Sequence, residues 1–227
     1  MMKKIVGAVD GPAGSGKSSV SRQAAVGLGL KYVDSGALYR SITWYVLGRD
    51  GAVDGNFVFT PDIASIAIRQ DFLPDGTSLT FVNGTDVTTL IRDEVIARNI
   101  GIISDNREVR DLVNAMLRDW ARRDSIIMDG RDIGSVVFPD ADLKIYLDAS
   151  AQERARRRYA ELLARGEPAN YERILANIYQ RDQIDSTRQV APLRAAEDAI
   201  ILDSDKLDAE QVLQCVQELI DAARAEQ

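Results

Sequence analysis

The residues whose types and spacing most clearly suit a chemical role lie near the N-terminus, in the stretch VDGPAGSGKS at positions 9–18. Four of them, Gly11, Gly16, Lys17 and Ser18, satisfy the pattern G-x-x-x-x-G-K-[ST]. Glycines let successive backbone N–H groups turn inward around phosphate oxygens, the lysine can reach the outer phosphates, and the hydroxyl can bind Mg²⁺. The pattern predicts a nucleotide-binding loop, with Ser18 as metal ligand, formed by Gly11, Pro12, Ala13, Gly14, Ser15, Gly16, Lys17, Ser18 and Ser19.

The elements on both sides of this loop support that prediction. The apolar run from Ile5 to Val9 is typical of a short buried strand. The following stretch SSVSRQAAVGLGL has helical character that ends near Gly27 or Gly29. A helix that begins at the loop would direct the positive end of its dipole toward the phosphates. An ordinary glycine turn is the alternative interpretation.

Two later segments place polar side chains directly after predicted strands. DSGALYR follows the second short strand, and MDGRDIG ends a later buried run that begins with SIIM. Ligands of open α/β sheets bind at the carboxyl ends of strands, so these segments predict a second anion site made of Ser35, Tyr39, Arg40, Asp129, Arg131 and Asp132. The alternatives are a helix start with Ser35 as its N-cap and a turn whose salt bridges satisfy one another.

Two arginine-bearing segments further on have helical spacing. SAQERARRRYAELLARGEP begins with a predicted capping box, Ser150 with Glu153, and places Arg154, Arg157 and Arg158 on one helical face. That face predicts either a solvated basic surface or a mobile flap that closes over phosphates. In QRDQIDSTRQVAPL, the spacing i, i+4, i+7 predicts either an intrahelical ion-pair ladder or ligand contacts from Arg181, Asp185 and Arg188.

Composition and charge exclude several classes of function. The formal net charge of the 227-residue chain is −7, so general affinity for nucleic acid is not expected. The absence of histidine excludes imidazole-based triads, and the single cysteine, Cys215, excludes a disulfide within the chain. No apolar run approaches a membrane span or a signal peptide, so the cytoplasm is the expected compartment. The 22 arginines against 6 lysines reflect either genomic base composition or local contacts with a small anion.

A nucleotide-binding loop alone leaves three classes of protein open: a small-molecule kinase, a GTPase-like switch, and an ATPase motor or clamp. A GTPase should carry an N-K-x-D motif that recognises guanine, and none of the six lysines follows an asparagine. A motor usually has more chain or a partner-binding apparatus. A phosphoryl-transfer enzyme needs a second anion site that faces the first, which is what the later segments predict.

The order of the elements predicts an α/β fold. Strand-like and helix-like stretches alternate in the outer parts of the chain, which favours a parallel sheet covered on both faces. Residues 61–92 interrupt the alternation with strand-like runs, and Asn83–Gly84 is a strong hairpin signal, so we expect a small antiparallel insert there. A long helix is predicted in NREVRDLVNAMLRDWARR, and a C-terminal helix is predicted from the apolar stripe Val212, Leu213, Val216, Leu219 and Ile220.

Taken in order, these segments resemble bacterial cytidylate kinases, a family of nucleoside monophosphate kinases. The resemblance runs essentially end to end and is carried by DGPAGSGKSS, DSGALYR, DGRDIGSVVFPDADLKIYLDAS, ERARRRY and RDQIDSTRQVAPLRAAEDAIILDS. It implies transfer of a phosphoryl group from ATP to CMP or dCMP, giving ADP and CDP or dCDP, with Mg²⁺ as cofactor. The remaining alternatives are a kinase for another acceptor, such as UMP or a non-nucleotide alcohol, and an ATP-dependent interaction module.

The resemblance also implies a domain organisation. We expect a P-loop NTPase three-layer sandwich with a parallel central sheet, a monophosphate-binding insert containing an antiparallel sheet, and a short helical lid. The implied ranges are 1–35, 105–150 and 189–227 for the core, 36–104 for the insert, and 151–188 for the lid and its flanking helices. The implied partners are small nucleotides, namely ATP, CMP and dCMP, bound by a monomer that contacts neither nucleic acid nor membrane.

Site roles follow from the resemblance by motif position. The CMP phosphate and sugar region would contact Ser35, Tyr39, Arg40 and Arg131, with Asp129 orienting Arg131 or the water shell of the metal. Cytosine would contact Arg110 and Asp132, and ribose would contact Arg181 and Asp185. Catalysis would rest on Lys17, Arg131 and Arg188, with ATP also contacted by the lid residues Arg157 and Arg158.

One position departs from the family pattern. Cytidylate kinases usually carry a serine nine residues before the arginine matched by Arg110, near the base and sugar, and here that residue is Gly101. The contact made by the serine hydroxyl is therefore lost, or replaced by one from Ser104, Asn99 or water. The departure bears on the preference among CMP, dCMP and UMP.

Overall fold

The computed structural model describes residues 4–54 and 57–225; residues 1–3, 55–56 and 226–227, which belong to the predicted domain ranges, lie outside this description. The described chain forms an α/β fold around a five-stranded parallel sheet with the strand order β2-β6-β1-β7-β8. In chain order its strands are β1 (Val6–Asp10), β2 (Lys31–Asp34), β6 (Ile126–Gly130), β7 (Leu143–Asp148) and β8 (Ile200–Asp203). The predicted parallel sheet is confirmed.

Helices cover both faces of this sheet. The helices of the described residues are α1 (Lys17–Leu28), α2 (Ser35–Asp50), α3 (Pro61–Ala64), α4 (Glu94–Asp105), α5 (Arg107–Arg123), α6 (Ala151–Ala164), α7 (Tyr171–Thr187) and α8 (Ala209–Ala225). A 3-10 turn at Leu90–Arg92 precedes α4, and a π-helical turn at Ile133–Val137 follows β6. No helix among the described residues is long and apolar enough to cross a lipid bilayer.

The two faces of the sheet bury two separate apolar cores, which gives the three-layer arrangement. Within β6, Ile126 and Met128 pack into the core that contains α2 and α5, whereas Ile127 packs into the core that contains α1 and α8. Successive side chains of a strand point to opposite faces, so a strand buried on both sides is apolar at every such position. The continuous apolar runs in the sequence have this cause.

The segment predicted as an insert carries the expected antiparallel sheet. Its strands are β3 (Ile68–Phe72), β4 (Ser78–Val82) and β5 (Thr85–Asp86), and the turn between β4 and β5 has positive φ at Asn83 and Gly84. This confirms the hairpin at these two residues. The predicted domain ranges themselves stay a prediction.

Local sequence signals fix the ends of several helices. Of the two ends predicted for α1, the structure has Gly29, and α2 ends at Gly51; both glycines have the left-handed conformation that glycine adopts without strain. The N-cap of α2 is Asp34, whose side chain accepts the N–H of Ala37, and not Ser35. At α6, Ser150 accepts the N–H of Glu153 as a capping box requires, but its own N–H donates to Asp205. The reciprocal half of that box is therefore absent.

Candidate active site

A cavity of about 520 Å³ opens at the carboxyl ends of β1, β2 and β6. The glycine-rich loop after β1 and the first turn of α1 line it with Ala13, Gly14, Lys17, Ser18 and Ser19. The start of α2 and the end of β6 line its other walls. The last turns of α7 and one face of α4 complete it. The cavity therefore brings together segments that lie far apart in the sequence.

The charge of this cavity is opposite to that of the whole chain. Its lining includes nine cations, namely Lys17, Arg22, Arg40, Arg92, Arg98, Arg110, Arg131, Arg181 and Arg188. Against them stand five carboxylates, namely Asp34, Asp105, Asp129, Asp132 and Asp185. An excess of four positive charges in a chain of net charge −7 indicates a site built for anions.

The glycine-rich loop has a backbone that other residues would strain. Gly11 has φ +150°, and a Cβ placed there would lie 2.1 Å from the carbonyl oxygen of Leu147. Gly16 has φ +91° and directly precedes α1, whose N-terminal N–H groups therefore open toward the cavity. The side chain of Lys17 folds back over the loop, and its ammonium donates to the carbonyl of Pro12 at 2.9 Å. Loop and helix terminus together form an anion-binding concavity.

Lys17 and Asp129 are the buried charged groups at this end of the cavity. Burial, followed by repulsion from Arg131, lowers the pKa of Lys17 to about 7. Burial likewise raises the pKa of Asp129, although its carboxylate accepts hydrogen bonds from Ser18 Oγ at 2.6 Å and from Tyr32 Oη at 2.7 Å. Phosphate anions would favour the charged form of Lys17, and a cation beside Ser18 would favour that of Asp129.

The lining of the cavity also holds a buried cluster of one carboxylate between two guanidinium groups. Asp132 forms ion pairs with Arg110 and, at 3.4 Å, with Arg188, and all three side chains are less than a tenth exposed. Arg110 also donates to the carbonyl of Ser104 at 3.0 Å, and its guanidinium lies 5.6 Å from the ring centre of Tyr39. This cluster joins α5, α7 and the end of β6 into one wall.

The remaining predicted acceptor residues also line the cavity. Arg131 donates to Asp185 at 2.8 Å, a contact from the end of β6 to α7, and Arg40 lies 3.8 Å from Asp34. Arg181 is open to the cavity, and its enclosure by protein, followed by repulsion from Arg131, lowers its pKa. Of the two alternatives for α7, the intrahelical ion-pair ladder is wrong, because Asp185 pairs with Arg131 and Arg188 pairs with Asp132.

The two lid arginines named from the sequence do not line the cavity. Arg157 pairs with Glu153 at 2.8 Å and donates to Ser204, and Arg158 pairs with Glu161 at 2.7 Å. The arginine of that face that approaches the glycine-rich loop is Arg154. The ATP-binding role of Arg157 and Arg158 stays a prediction.

Several residues that line the cavity were not predicted from the sequence. Tyr32 lies within β2, and the apolar character of that strand gave no sign of a polar contact. Arg22 lies on α1. Arg92, Arg98 and Asp105 belong to the 3-10 turn and to α4, an element that the sequence analysis did not identify. The available signal was the apolar spacing of IARNIGII, which places one face of α4 against the core.

Gly101 lies on the cavity-facing side of α4 and leaves open space there. A Cβ at this position would meet nothing within 4 Å, and Ser104 Oγ donates to the Gly101 carbonyl at 3.0 Å. Ser104 and Asn99 are the two candidates to replace the serine hydroxyl that the family usually has at position 101. Ser104 lines the cavity, whereas Asn99 does not and instead donates to the carbonyl of Val95. A larger side chain at position 101 can therefore enter the cavity without displacing protein atoms.

We expect Gly101→Ser to change acceptor kinetics without harming the fold. A new hydroxyl in the cavity is expected to alter kcat/KM for CMP, relative to dCMP and UMP, by about three- to tenfold. Because serine has a higher helix propensity than glycine, the change should also raise the free energy of unfolding by about 0.5 kcal/mol. The matched control is Gly48→Ser in α2, where a Cβ also meets nothing within 4 Å but which does not line the cavity. If Gly101→Ser and Gly48→Ser had the same kcat/KM for CMP relative to dCMP and UMP, position 101 would have no influence on the choice of acceptor.

Asp10 fixes the loop that carries Arg131 and Asp132. Its two carboxylate oxygens accept the N–H groups of Ile133 and Gly134, each at 2.8 Å, and burial raises its pKa to about 6. An amide has only one acceptor atom, so Asp10→Asn would leave one of these buried N–H groups without a partner.

Asp10→Asn is therefore expected to lower the free energy of unfolding by about 1–3 kcal/mol, measured by urea denaturation. Asp119→Asn is the control, because Asp119 forms only an exposed i,i+4 pair with Arg123. That change should cost less than about 0.5 kcal/mol. A cost for Asp10→Asn as small as the control would mean that these two hydrogen bonds do not hold the loop.

A glycine-rich anion loop at the end of β1, a parallel three-layer α/β sheet, and a second guanidinium cluster across one cavity define the class of P-loop kinases. Among solved structures, an uncharacterised protein from Eubacterium ventriosum matches 96% of this chain and 99% of its own length, with a TM-score of 0.53 and 12% identity. At that identity the match supports the fold alone.

The family is defined by sequence. The family model described as cytidylate kinase matches residues 7–222. A cytidylate kinase from Caldicellulosiruptor bescii is 45% identical over 218 residues, which cover 96% of each chain. One from an Exiguobacterium species is 39% identical over 225 residues, or 99% of this chain and all of its own. The chain belongs to the cytidylate kinase family, and the resemblance identified from the motifs is confirmed.

Proposed function

We infer that this protein transfers the γ-phosphoryl group of ATP to CMP or dCMP, giving ADP and CDP or dCDP. The observation that carries this inference is the single cavity that the anion-binding loop and the second guanidinium cluster share. Two anionic substrates held at its two ends would meet between Lys17 and Arg131. Family membership supports the choice of acceptor.

Catalysis in this proposal rests on position and charge. Lys17, Arg131 and Arg188 neutralise the charge that spreads over the phosphoryl oxygens in the transition state. The nucleophile is an oxygen of the acceptor phosphate, which is already ionised at neutral pH. No general base is then needed, which agrees with a chain that has no histidine.

Recognition of the acceptor is divided along the cavity. The phosphate and sugar region is held by Ser35, Tyr39, Arg40 and Arg131, ribose by Arg181 and Asp185, and cytosine by Arg110 and Asp132. The buried Arg110–Asp132 pair supports the last assignment, because it offers a planar donor group and carboxylate oxygens side by side. Arg157 and Arg158 would have to exchange their glutamate partners for ATP phosphates when the lid closes.

The residues at the loop fit a hard divalent cation. Ser18 Oγ lies beside the buried carboxylate of Asp129, and Mg²⁺ prefers one or two such oxygens together with substrate phosphates and water. No group of three or more acidic, histidine or cysteine side chains that could hold a metal by itself occurs within residues 4–54 and 57–225. We propose that Ser18 binds Mg²⁺ and that Asp129 orients its water shell. The ion would supply neutralisation of phosphate charge.

The same proposal covers organisation and setting. The core, the monophosphate-binding insert and the lid would correspond to the ranges expected from the sequence. The protein would act as a cytoplasmic monomer in pyrimidine nucleotide metabolism, with small nucleotides and neither nucleic acid nor membrane as partners.

A coupled assay for ADP across a panel of acceptors tests the proposed reaction. CMP and dCMP are expected to give rates at least about tenfold above AMP, GMP and UMP, with CDP or dCDP as product. A higher rate with UMP would assign a different acceptor. ATP hydrolysis without any phosphorylated acceptor would favour an ATP-dependent interaction module instead.

A further inference from the structure

Arg154, in the first turn of α6, has a buried side chain that contacts three separate parts of the chain. Only 4% of this side chain is exposed. Its Nε donates to the carbonyl of Ala149 at the end of β7, and its Nη1 donates to the carbonyl of Ala13 in the glycine-rich loop, at 2.9 and 3.0 Å. The two Nη atoms also donate to Asp182 of α7, at 2.8 and 2.6 Å. Nearly all its donors are thereby satisfied within the protein.

The contact with Ala13 bears on the direction of the anion-binding N–H groups. In a trans peptide, the carbonyl of Ala13 and the N–H of Gly14 lie in one plane and point in opposite directions. Arg154 holds that carbonyl, and it packs against Gly14, since a Cβ there would lie 3.7 Å from the Cβ of Arg154. The orientation of this peptide is therefore set by α6.

The contact with Asp182 connects the same side chain to the acceptor wall. Asp182 directly follows Arg181 and lies one turn before Asp185, and both of these neighbours line the cavity. A bidentate arginine–carboxylate pair fixes orientation as well as distance. The position of α7 and the orientation of the loop peptide therefore depend on one guanidinium group.

We propose that Arg154 is a positioning residue that couples the ATP loop to the acceptor-binding helix α7. This inference rests on the proposed function, since it takes the loop to hold ATP and α7 to hold the nucleoside monophosphate. Arg154 itself does not line the cavity. Movement of α7 on acceptor binding is transmitted through Asp182 and Arg154 to the peptide between Ala13 and Gly14.

The test uses Asp182→Asn, because Asp182 does not touch the loop and its amide replacement keeps the same shape. We expect it to raise the dissociation constant of MgATP, measured by calorimetry without acceptor, and the KM for CMP, each by about three- to tenfold. Arg154→Lys should do the same, because an ammonium cannot serve three acceptor groups in a fork. Arg156→Lys is the control, as Arg156 is 69% exposed and pairs only with Glu153; it should stay within about twofold.

A lower thermal midpoint of Asp182→Asn with an unchanged MgATP dissociation constant would confine this contact to stability and overturn the proposal. If Arg154→Lys does not fold, Asp182→Asn alone decides. The wild-type acceptor panel separates this inference from the proposed function. A wild type that binds MgATP but does not phosphorylate CMP would refute the function, whereas the comparison of MgATP dissociation constants would still test the link to the loop.

Discussion

Lys17→Ala is expected to lower kcat by about a thousandfold or more while the protein remains folded. The ammonium of Lys17 is the cation at the glycine-rich loop that can follow the transferring phosphoryl group, and alanine offers no donor there. The fold should tolerate the change, because Lys17 is a buried cation that Arg131 repels and its one hydrogen bond goes to Pro12. The measurement is steady-state turnover with CMP, together with a thermal melt.

Lys31→Ala is the matched control for this prediction. Lys31 forms a half-exposed pair with Asp124 outside the cavity, so its loss should leave turnover within about twofold of wild type. Near-normal turnover of Lys17→Ala would remove Lys17 from the mechanism. A loss of turnover accompanied by unfolding would mean that Lys17 serves the structure of the loop.

Arg131→Ala is expected to lower kcat/KM for CMP by about a hundredfold or more, and Arg165→Ala by less than about twofold. Arg131 lies at the end of β6, lines the cavity and pairs with Asp185 at 2.8 Å. Arg165 follows α6, is 57% exposed and pairs only with Glu161. Both changes remove one guanidinium, so the comparison isolates position. Similar losses in the two variants would contradict the assigned acceptor site.

Features that depend on neighbouring residues were predictable from the sequence. The glycine-rich loop needs backbone conformations that only glycine adopts without strain. At position 11 every other residue type is excluded, because its Cβ would clash with the carbonyl oxygen of Leu147. The hairpin at Asn83–Gly84 and the glycine that ends α1 are likewise local. The central strands were recognisable because burial on both faces of a sheet requires continuous apolar runs.

Contacts between distant segments were not predictable, because they depend on how the sheet brings those segments together. The spacing in α7 left ion pairs within the helix open as one alternative, but Asp185 pairs with Arg131, 54 positions away. The arginines of α6 share a helical face, and only the packing of α6 against the loop selects Arg154 rather than Arg157. Helix α4 was overlooked because it follows directly on the insert hairpin, where the pattern suggested only strands and turns.

We propose that one cavity binds two anionic nucleotides end to end. The decisive measurement is a crystal structure with CMP and a non-hydrolysable ATP analogue. We expect the phosphates of the analogue at the N–H groups beside Lys17, and the CMP phosphate in contact with Arg40, Arg131 and Arg188. Bound CMP with these three guanidinium groups directed away from its phosphate would contradict it.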